Sequence, residues 1–192
     1  MKLAVLILAA GESQRFKSPK LLYKVKGLTL FEHTYLKYAK NFNVFVVIGA
    51  YNLSFYFDFP CIYLNNKNFK KGMFSSLKTG LEYLANFSYD GVIFTPADVP
   101  FYSKSTIKKL VLEFKKNFEK FIIPVYNGKS GHPVIIPEKF FKKLKALPSD
   151  FEGGLGRFIK ELPERCKKKV AVKDKFILID IDYKSDLKWL KK

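Results

Sequence analysis

Long apolar runs are missing from this 192-residue chain. No stretch approaches the roughly 18 residues of a membrane-spanning helix, so no membrane partner is expected. Cysteine is scarce: Cys61 and Cys166 lie far apart, without CxxC or Cys/His spacing. That excludes a disulfide framework and fits a reduced, cytoplasmic protein with inert thiols. Arginine is nearly absent. Only Arg15, Arg157 and Arg165 are arginines among 35 basic residues. Nucleic-acid binders favour arginine for bidentate phosphate and guanine contacts, so a nucleic-acid partner is not expected. Neither GxxxxGK[ST] nor GxGxxG occurs, which argues against a P-loop ATPase and an NAD enzyme. Of the two histidines, His33 falls in a predicted helix and has no assigned role.

What is present is an excess of positive charge, +18, and 48% hydrophobic residues. The charge draws anionic substrates by long-range attraction. The length suits one domain able to bury its own core. We take residues 1–192 as a single domain, with a nucleotide half to about Asp98 and an acceptor half from about 99 to 192.

Apolar runs predict strands at Leu3–Leu8, Val44–Ile48, Cys61–Leu64, Gly91–Thr95, Phe121–Val125, Pro133–Ile136, Lys169–Val172 and Phe176–Ile179. Helical spacing predicts helices at Leu30–Lys40, Phe74–Ala85, Lys104–Asn117, Glu138–Ala146, Leu155–Leu162 and Ser185–Lys191. Alternation of the two types implies a Rossmann-like three-layer α/β/α fold with a mixed, mostly parallel sheet. The segment Gly128–Pro133 reads as a hairpin turn, so part of the second half is expected to be antiparallel.

The first predicted strand runs directly into Ala9-Ala10-Gly11-Glu12-Ser13-Gln14-Arg15, followed by Pro19-Lys20. Lys2 and the short apolar run to Gly11 imitate a signal peptide, but only the loop reading gives Arg15 and Lys20 a purpose. Ligands of open α/β sheets bind beyond the carboxyl ends of the strands. Small residues that bare backbone N–H groups, with two fixed cations, suit a polyphosphate there. Asp98 leaves the strand at Gly91–Thr95 between Pro96 and Pro100, where a carboxylate suits a hard divalent cation. Asp180 and Asp182 alternate onto one face of the last predicted strand and offer a second carboxylate. Gly72 precedes a helix whose first turn holds Ser75 and Ser76. His132, fixed by Pro133, is a candidate acceptor contact.

In this order the segments resemble the nucleotidyltransferase family of the molybdenum-cofactor enzymes, closest to its cytidylyltransferase branch. Leu8 to Phe16 with Lys20 is similar to that family's LAAGxSxRF…K signature. Asn66 with Gly72-Met73-Phe74-Ser75-Ser76-Leu77 resembles N…GMxxSL, Asp98-Val99-Pro100 the metal-binding DxP turn, Gly131-His132-Pro133-Val134 the GHPV segment, and Asp180-Ile181-Asp182 the closing DID. The resemblance implies transfer of a nucleoside monophosphate from an NTP, with Mg2+ and release of pyrophosphate. By position, Leu8, Ala9, Ala10 and Gly11 would meet base and ribose, and Arg15 and Lys20 the phosphates. Asn66, Gly72 and Ser76 would line the nucleoside pocket. Asp98 and Asp182 would hold the metal, while His132 and Pro133 would face a molybdopterin-type acceptor. Ala10, where the guanylyltransferase branch usually has Gly, and the GHPV segment favour CTP. A monomer or weak dimer is expected. The competing expectations are a guanylyltransferase, a sugar- or alditol-phosphate nucleotidyltransferase, and a non-catalytic nucleotide-binding regulator. The chain departs from the family pattern at Lys17, often Gly, at Ser149 to Arg157, where GDxGAR is usual, and at Tyr183-Lys184-Ser185.

Overall fold

The computed structural model describes residues 1–190. In chain order the strands are β1 (Leu3–Ala9), β2 (Lys24–Val25), β3 (Leu28–Thr29), β4 (Asn43–Ile48), β5 (Ile62–Asn65), β6 (Gly91–Pro96), β7 (Phe121–Tyr126), β8 (Lys129–Ser130), β9 (Val134–Pro137) and β10 (Lys167–Ala171). The α-helices are α1 (Leu30–Tyr35), α2 (Met73–Leu84), α3 (Lys104–Lys116), α4 (Phe141–Ala146) and α5 (Gly154–Glu161). The main sheet runs β10-β7-β9-β6-β1-β4-β5, with β8 paired to β7; β2 and β3 form a separate two-stranded ribbon. β1 lies parallel to both β4 and β6. The chain moves outward from β1 to β4 and β5, then returns across α2 to place β6 on the other side of β1. The order therefore reverses between β1 and β6, and the crevice at such a switch point is where doubly wound sheets bind ligands.

β1 is buried along its whole length, and its alternation feeds two cores. Leu3, Val5 and Ile7 pack with Phe31 and Tyr35 of α1 and Ile107, Leu110 and Phe114 of α3. Ala4, Leu6 and Leu8 pack with Leu77, Leu81 and Leu84 of α2, and with Phe141 and Phe158 from α4 and α5. This is the three-layer arrangement that continuous apolar strands require. Helix starts follow their caps. Thr29 and Glu32 form a reciprocal capping box at α1, and the Ser103 hydroxyl accepts from the Thr106 N–H at α3. α2 sits very close to β1: a Cβ on Gly80 would stand 2.4 Å from Leu6 side-chain carbons.

The antiparallel part is β9, which opposes both β6 and β7. The tight turn before it is at Asn127-Gly128, both at positive φ, between β7 and β8. That is the backbone a two-residue hairpin demands. Three expectations are corrected. Phe176–Ile179 is not a strand: Lys175–Leu178 is a 3-10 turn, started by the Asp174 carboxylate accepting the Phe176 N–H at 3.1 Å. The helix expected to reach Lys40 ends at Tyr35 and continues as turns. The closing segment Lys184–Leu190 is a 3-10 helix, and its expected end, Lys191, lies outside the described residues.

Candidate active site

The ends of β1 and β6 are joined by the Ala97 N–H donating to the Leu8 carbonyl at 2.9 Å. Beyond them the chain after β1 folds over the sheet edge. Ala10 is buried, and its carbonyl takes the Ala50 N–H at 3.2 Å. Ser13 and Lys17 adopt left-handed φ of 55° and 58° and bracket a 3-10 turn at Gln14–Phe16. Phe16 is buried against Leu30 and Ile181 and anchors the turn, which leaves Arg15 facing outward. The Ser13 hydroxyl then accepts the Lys20 N–H at 3.3 Å, fixing the backbone from which the Lys20 side chain turns back inward.

Lys20 is 9% exposed. Its ammonium donates to Asp98 Oδ2 at 2.7 Å and to Asp182 Oδ1 at 3.0 Å. The other oxygen of Asp182, Oδ2, accepts from Arg15 Nη1 at 2.6 Å. Two cations and two carboxylates from three distant parts of the chain thus form one cluster. Burial of the Lys20 ammonium acts to lower its pKa; the attraction of Asp98 and the hydrogen bonds to both carboxylates outweigh this and leave it raised. Burial likewise acts against the Asp182 carboxylate, but the bonds from Lys20 and Arg15 prevail and hold its pKa below the usual value. Asp180 stands apart from the ion pairs. Burial raises its pKa, and the charges of Asp98 and Asp182 add to the rise.

The Asp98 turn is held from two sides. The Thr34 hydroxyl in α1 donates to the Ala97 carbonyl at 3.0 Å, and Lys37 Nζ donates to the Pro100 carbonyl. Behind them, the buried hydroxyls of Tyr38, Tyr102 and Thr95 form a chain with spacings of 2.7 and 3.0 Å. On the opposite side the Ile181 N–H donates to the Asp98 carbonyl at 2.8 Å.

Two cavities meet at Asp98. One, of about 290 Å³, is lined by Leu8, Ala9, Gly11, Arg15, Lys20 and Asp182 as well as Asp98. The other, of about 940 Å³, takes in Gly72, His132, Asp180 and the segment from Phe151 to Gly156. Asp98 Oδ2 and Asp182 Oδ1 converge on the Lys20 ammonium, and carboxylate oxygens are ligands that could hold a hard divalent ion. Among the described residues no group of three or more His, Cys, Asp or Glu could hold a metal. Any such ion here would take its remaining ligands from phosphate oxygens and water.

Residues 5–166 match the model of the MobA-like NTP transferase domain. The chain belongs to this family. A probable molybdenum cofactor guanylyltransferase of Natranaerobius thermophilus is 30% identical over 128 residues, 65% of this chain and 61% of that protein. The chain therefore matches about three fifths of the relative's length. The fold is shared with Rv0371c of Mycobacterium tuberculosis H37Rv, with a TM-score of 0.78 and 18% identity over 99% of this chain and 98% of that one. A manganese complex of the same protein superposes with a TM-score of 0.74, at 18% identity over 99% and 98% of the two chains. Molybdopterin-guanine dinucleotide biosynthesis protein A of Archaeoglobus fulgidus gives 0.72 at 20% identity over 98% and 96% of the two chains.

Lys17 stands where the resemblance implies glycine, and the backbone there bears on the difference. Position 17 is left-handed, a conformation glycine adopts without cost and lysine tolerates at some strain. Within residues 149 to 157, where the chain departs from the pattern it resembles, residues 150 to 156 form a wall of the larger cavity. Phe151 packs on Phe74 at 5.4 Å, and the Arg157 guanidinium lies 5.5 Å from the Phe151 ring centre.

Of the remaining candidates, Asn66 and Ser76 are buried and line neither cavity. Asn66 Nδ2 donates to the hydroxyls of Ser75 and Ser76 at 2.8 and 2.9 Å, and its Oδ1 accepts the Asn68 N–H at 2.9 Å. The side chain thus ties the loop after β5 to the first turn of α2. Pro133 is buried and joined to His132 by a cis peptide bond. The His132 ring meets Phe94 edge-on at 5.5 Å, and its Nδ1 is buried without a hydrogen-bond partner. Burial pulls its pKa down to about 4, with Asp98 opposing. Sequence reading missed Thr34 and Lys37, because a threonine and a lysine within a helix carry no signal of the turn they support.

Proposed function

We propose that this protein is a nucleotidyltransferase that moves a nucleoside monophosphate from an NTP, CTP by preference, to a molybdopterin-type acceptor. A phosphate oxygen of the acceptor attacks the α-phosphorus. The bond from that phosphorus to the bridging α–β oxygen breaks, and pyrophosphate leaves with the electron pair. The acceptor phosphate is already anionic near neutral pH, so no protein base is required. Lys20, kept protonated by its carboxylate neighbours, and Arg15 would meet the charge that grows on the phosphate oxygens. Gly11 would let the backbone approach the triphosphate. Asp98 and Asp182 would hold a divalent cation, Mg2+ in this reading, which when bound neutralises phosphate charge and acts as a Lewis acid. The larger cavity would take the acceptor beside His132, whose backbone Pro133 fixes from within the fold, so the two halves of a single domain would meet at Asp98. Asn66 and Ser76 would shape the nucleoside side through the loop they fix.

One observation carries the reading: Lys20 bridges Asp98 and Asp182 at 2.7 and 3.0 Å, on the wall of a cleft bounded by the loop after β1. GTP is the second reading, because the curated relative is named a guanylyltransferase. Pyrophosphate release, measured for each NTP against molybdopterin and a panel of sugar phosphates, tests both donor and acceptor. Release with no acceptor of this set, or with equal rates for all NTPs, would refute the substrate assignment.

A further inference from the structure

The four charges of the cluster are already matched. Lys20 and Arg15 supply two positive charges, and Asp98 and Asp182 two negative ones. Both oxygens of Asp182 are engaged, Oδ1 by Lys20 and Oδ2 by Arg15, and Oδ2 of Asp98 is engaged by Lys20. The Lys20 ammonium therefore sits where both carboxylates point, in the position their oxygens would offer a cation. We propose that Lys20 is the resident occupant of this cation position, so that a divalent ion enters only together with a triphosphate that draws Lys20 away. The proposal rests on the metal and nucleotide reading given above.

The electrostatics set the order of events. A bare divalent ion approaching Asp98 and Asp182 meets a neutral cluster and must expel an ammonium. Lys20 is almost buried, and a buried charge stripped of its partners is strongly disfavoured. The ion alone gives Lys20 nowhere to go. A triphosphate changes this, because its oxygens supply Lys20 and Arg15 with new anionic partners at the same moment as the carboxylates are freed. The movement needed is small. Lys20 and Arg15 already line the cavity that the phosphates would enter, and the Lys20 backbone stays anchored on Ser13. A rotation of the side chain suffices. By linkage the coupling is reciprocal: the ion tightens the nucleotide by the same factor as the nucleotide tightens the ion.

The test is a titration with Mn2+, read from the loss of the free-ion electron paramagnetic resonance signal. It uses wild type, Lys20→Met and Lys20→Gln, with and without α,β-methylene CTP or GTP. Methionine keeps the length and loses the charge; glutamine covers the case in which methionine fails to fold, and a thermal melt identifies that case. Wild type is expected to bind Mn2+ alone weakly, and about 10-fold or more tightly once the nucleotide is present. Either Lys20 variant should bind Mn2+ alone about 10-fold more tightly than wild type and gain little from the nucleotide. Equal or weaker binding of Mn2+ alone by both variants overturns the proposal. Pyrophosphate release by wild type separates the two claims. Release together with unchanged Mn2+ affinity in the variants leaves the transferase reading standing and removes only the role of Lys20. Absence of Mn2+ binding to every protein, with or without nucleotide, removes the proposal and the metal assignment together.

Discussion

The Ile181 N–H donates to the Asp98 carbonyl at 2.8 Å, and this single backbone bond sets the register between the exit of β6 and the tail of the chain. With Ile181 pinned there, Asp182 reaches the same ammonium as Asp98. Asp186 fixes the far side by accepting the N–H groups of Asp182 and Tyr183 at 2.9 and 2.7 Å. The first strand delivers the cations and the tail delivers the second carboxylate.

Asp98→Ala is expected to reduce pyrophosphate release by at least about 10²-fold, the scale of losing one group that stabilises the transition state. The Asp98 side chain is 25% exposed and packs no core, so the fold should survive. The check is a pyrophosphate assay beside a thermal melt. Near-normal release in a folded Asp98→Ala protein would refute the role assigned to this carboxylate.

Two glycines that flank the cavities should behave in opposite ways. A Cβ on Gly11 would have no neighbour within 4 Å, whereas one on Gly131 would stand 2.2 Å from the Ile177 carbonyl oxygen. Gly11→Ala should therefore leave Tm unchanged and raise the KM for the NTP, because the added methyl group meets only the ligand. Gly131→Ala should cost about 1–3 kcal/mol of stability, the usual scale of overpacking. A drop in Tm for Gly11→Ala, or none for Gly131→Ala, would contradict these assignments.

Asn66 offers a test of a different kind. Asn66→Ala removes the amide that ties the buried Ser75 and Ser76 hydroxyls and leaves the Asn68 N–H without its acceptor. An unsatisfied buried group of this sort costs about 2 kcal/mol, or roughly 4–8 °C of Tm for a chain of this size. A residue that merely lined the nucleoside pocket would change KM and leave Tm alone. Melting curves and NTP titrations on the same variant distinguish the two.

Much of the scaffold was legible because β1 and β6 are unbroken apolar runs that end in strongly punctuated turns. Such runs are buried on both faces, and their ends mark the ligand edge. The pairing of Lys20 with Asp98 and Asp182 was not legible, since sequence places charges near an edge without saying which will touch. Phe176 to Ile179 misled for a local reason: four apolar residues fit a strand, but the Asp174 side chain competes for the Phe176 N–H and starts a turn. β10 begins at Lys167 rather than Lys169, because pairing with β7 recruits two further lysines, Lys167 and Lys168, that pattern alone assigns to a loop. On an edge strand these lysines are at home, where they discourage pairing with another chain.

The acid side of the stability profile should carry the signature of His132. Its pKa in the folded protein is pulled down to about 4 by burial, against an opposing pull from Asp98, while an unfolded histidine titrates near 6.5. Between these values the unfolded chain binds a proton that the folded chain refuses. Unfolding is therefore favoured as pH falls through this window; the full contribution is present above about 6.5 and is lost progressively towards about 4. The expected loss between pH 7 and pH 5 is about 2 kcal/mol. Urea midpoints at the two pH values measure it. His132→Phe keeps an aromatic ring against Phe94 and removes the titrating group, so its midpoints should shift less between pH 7 and pH 5 than those of wild type. Equal shifts in the two proteins would show that His132 is not held neutral by its surroundings.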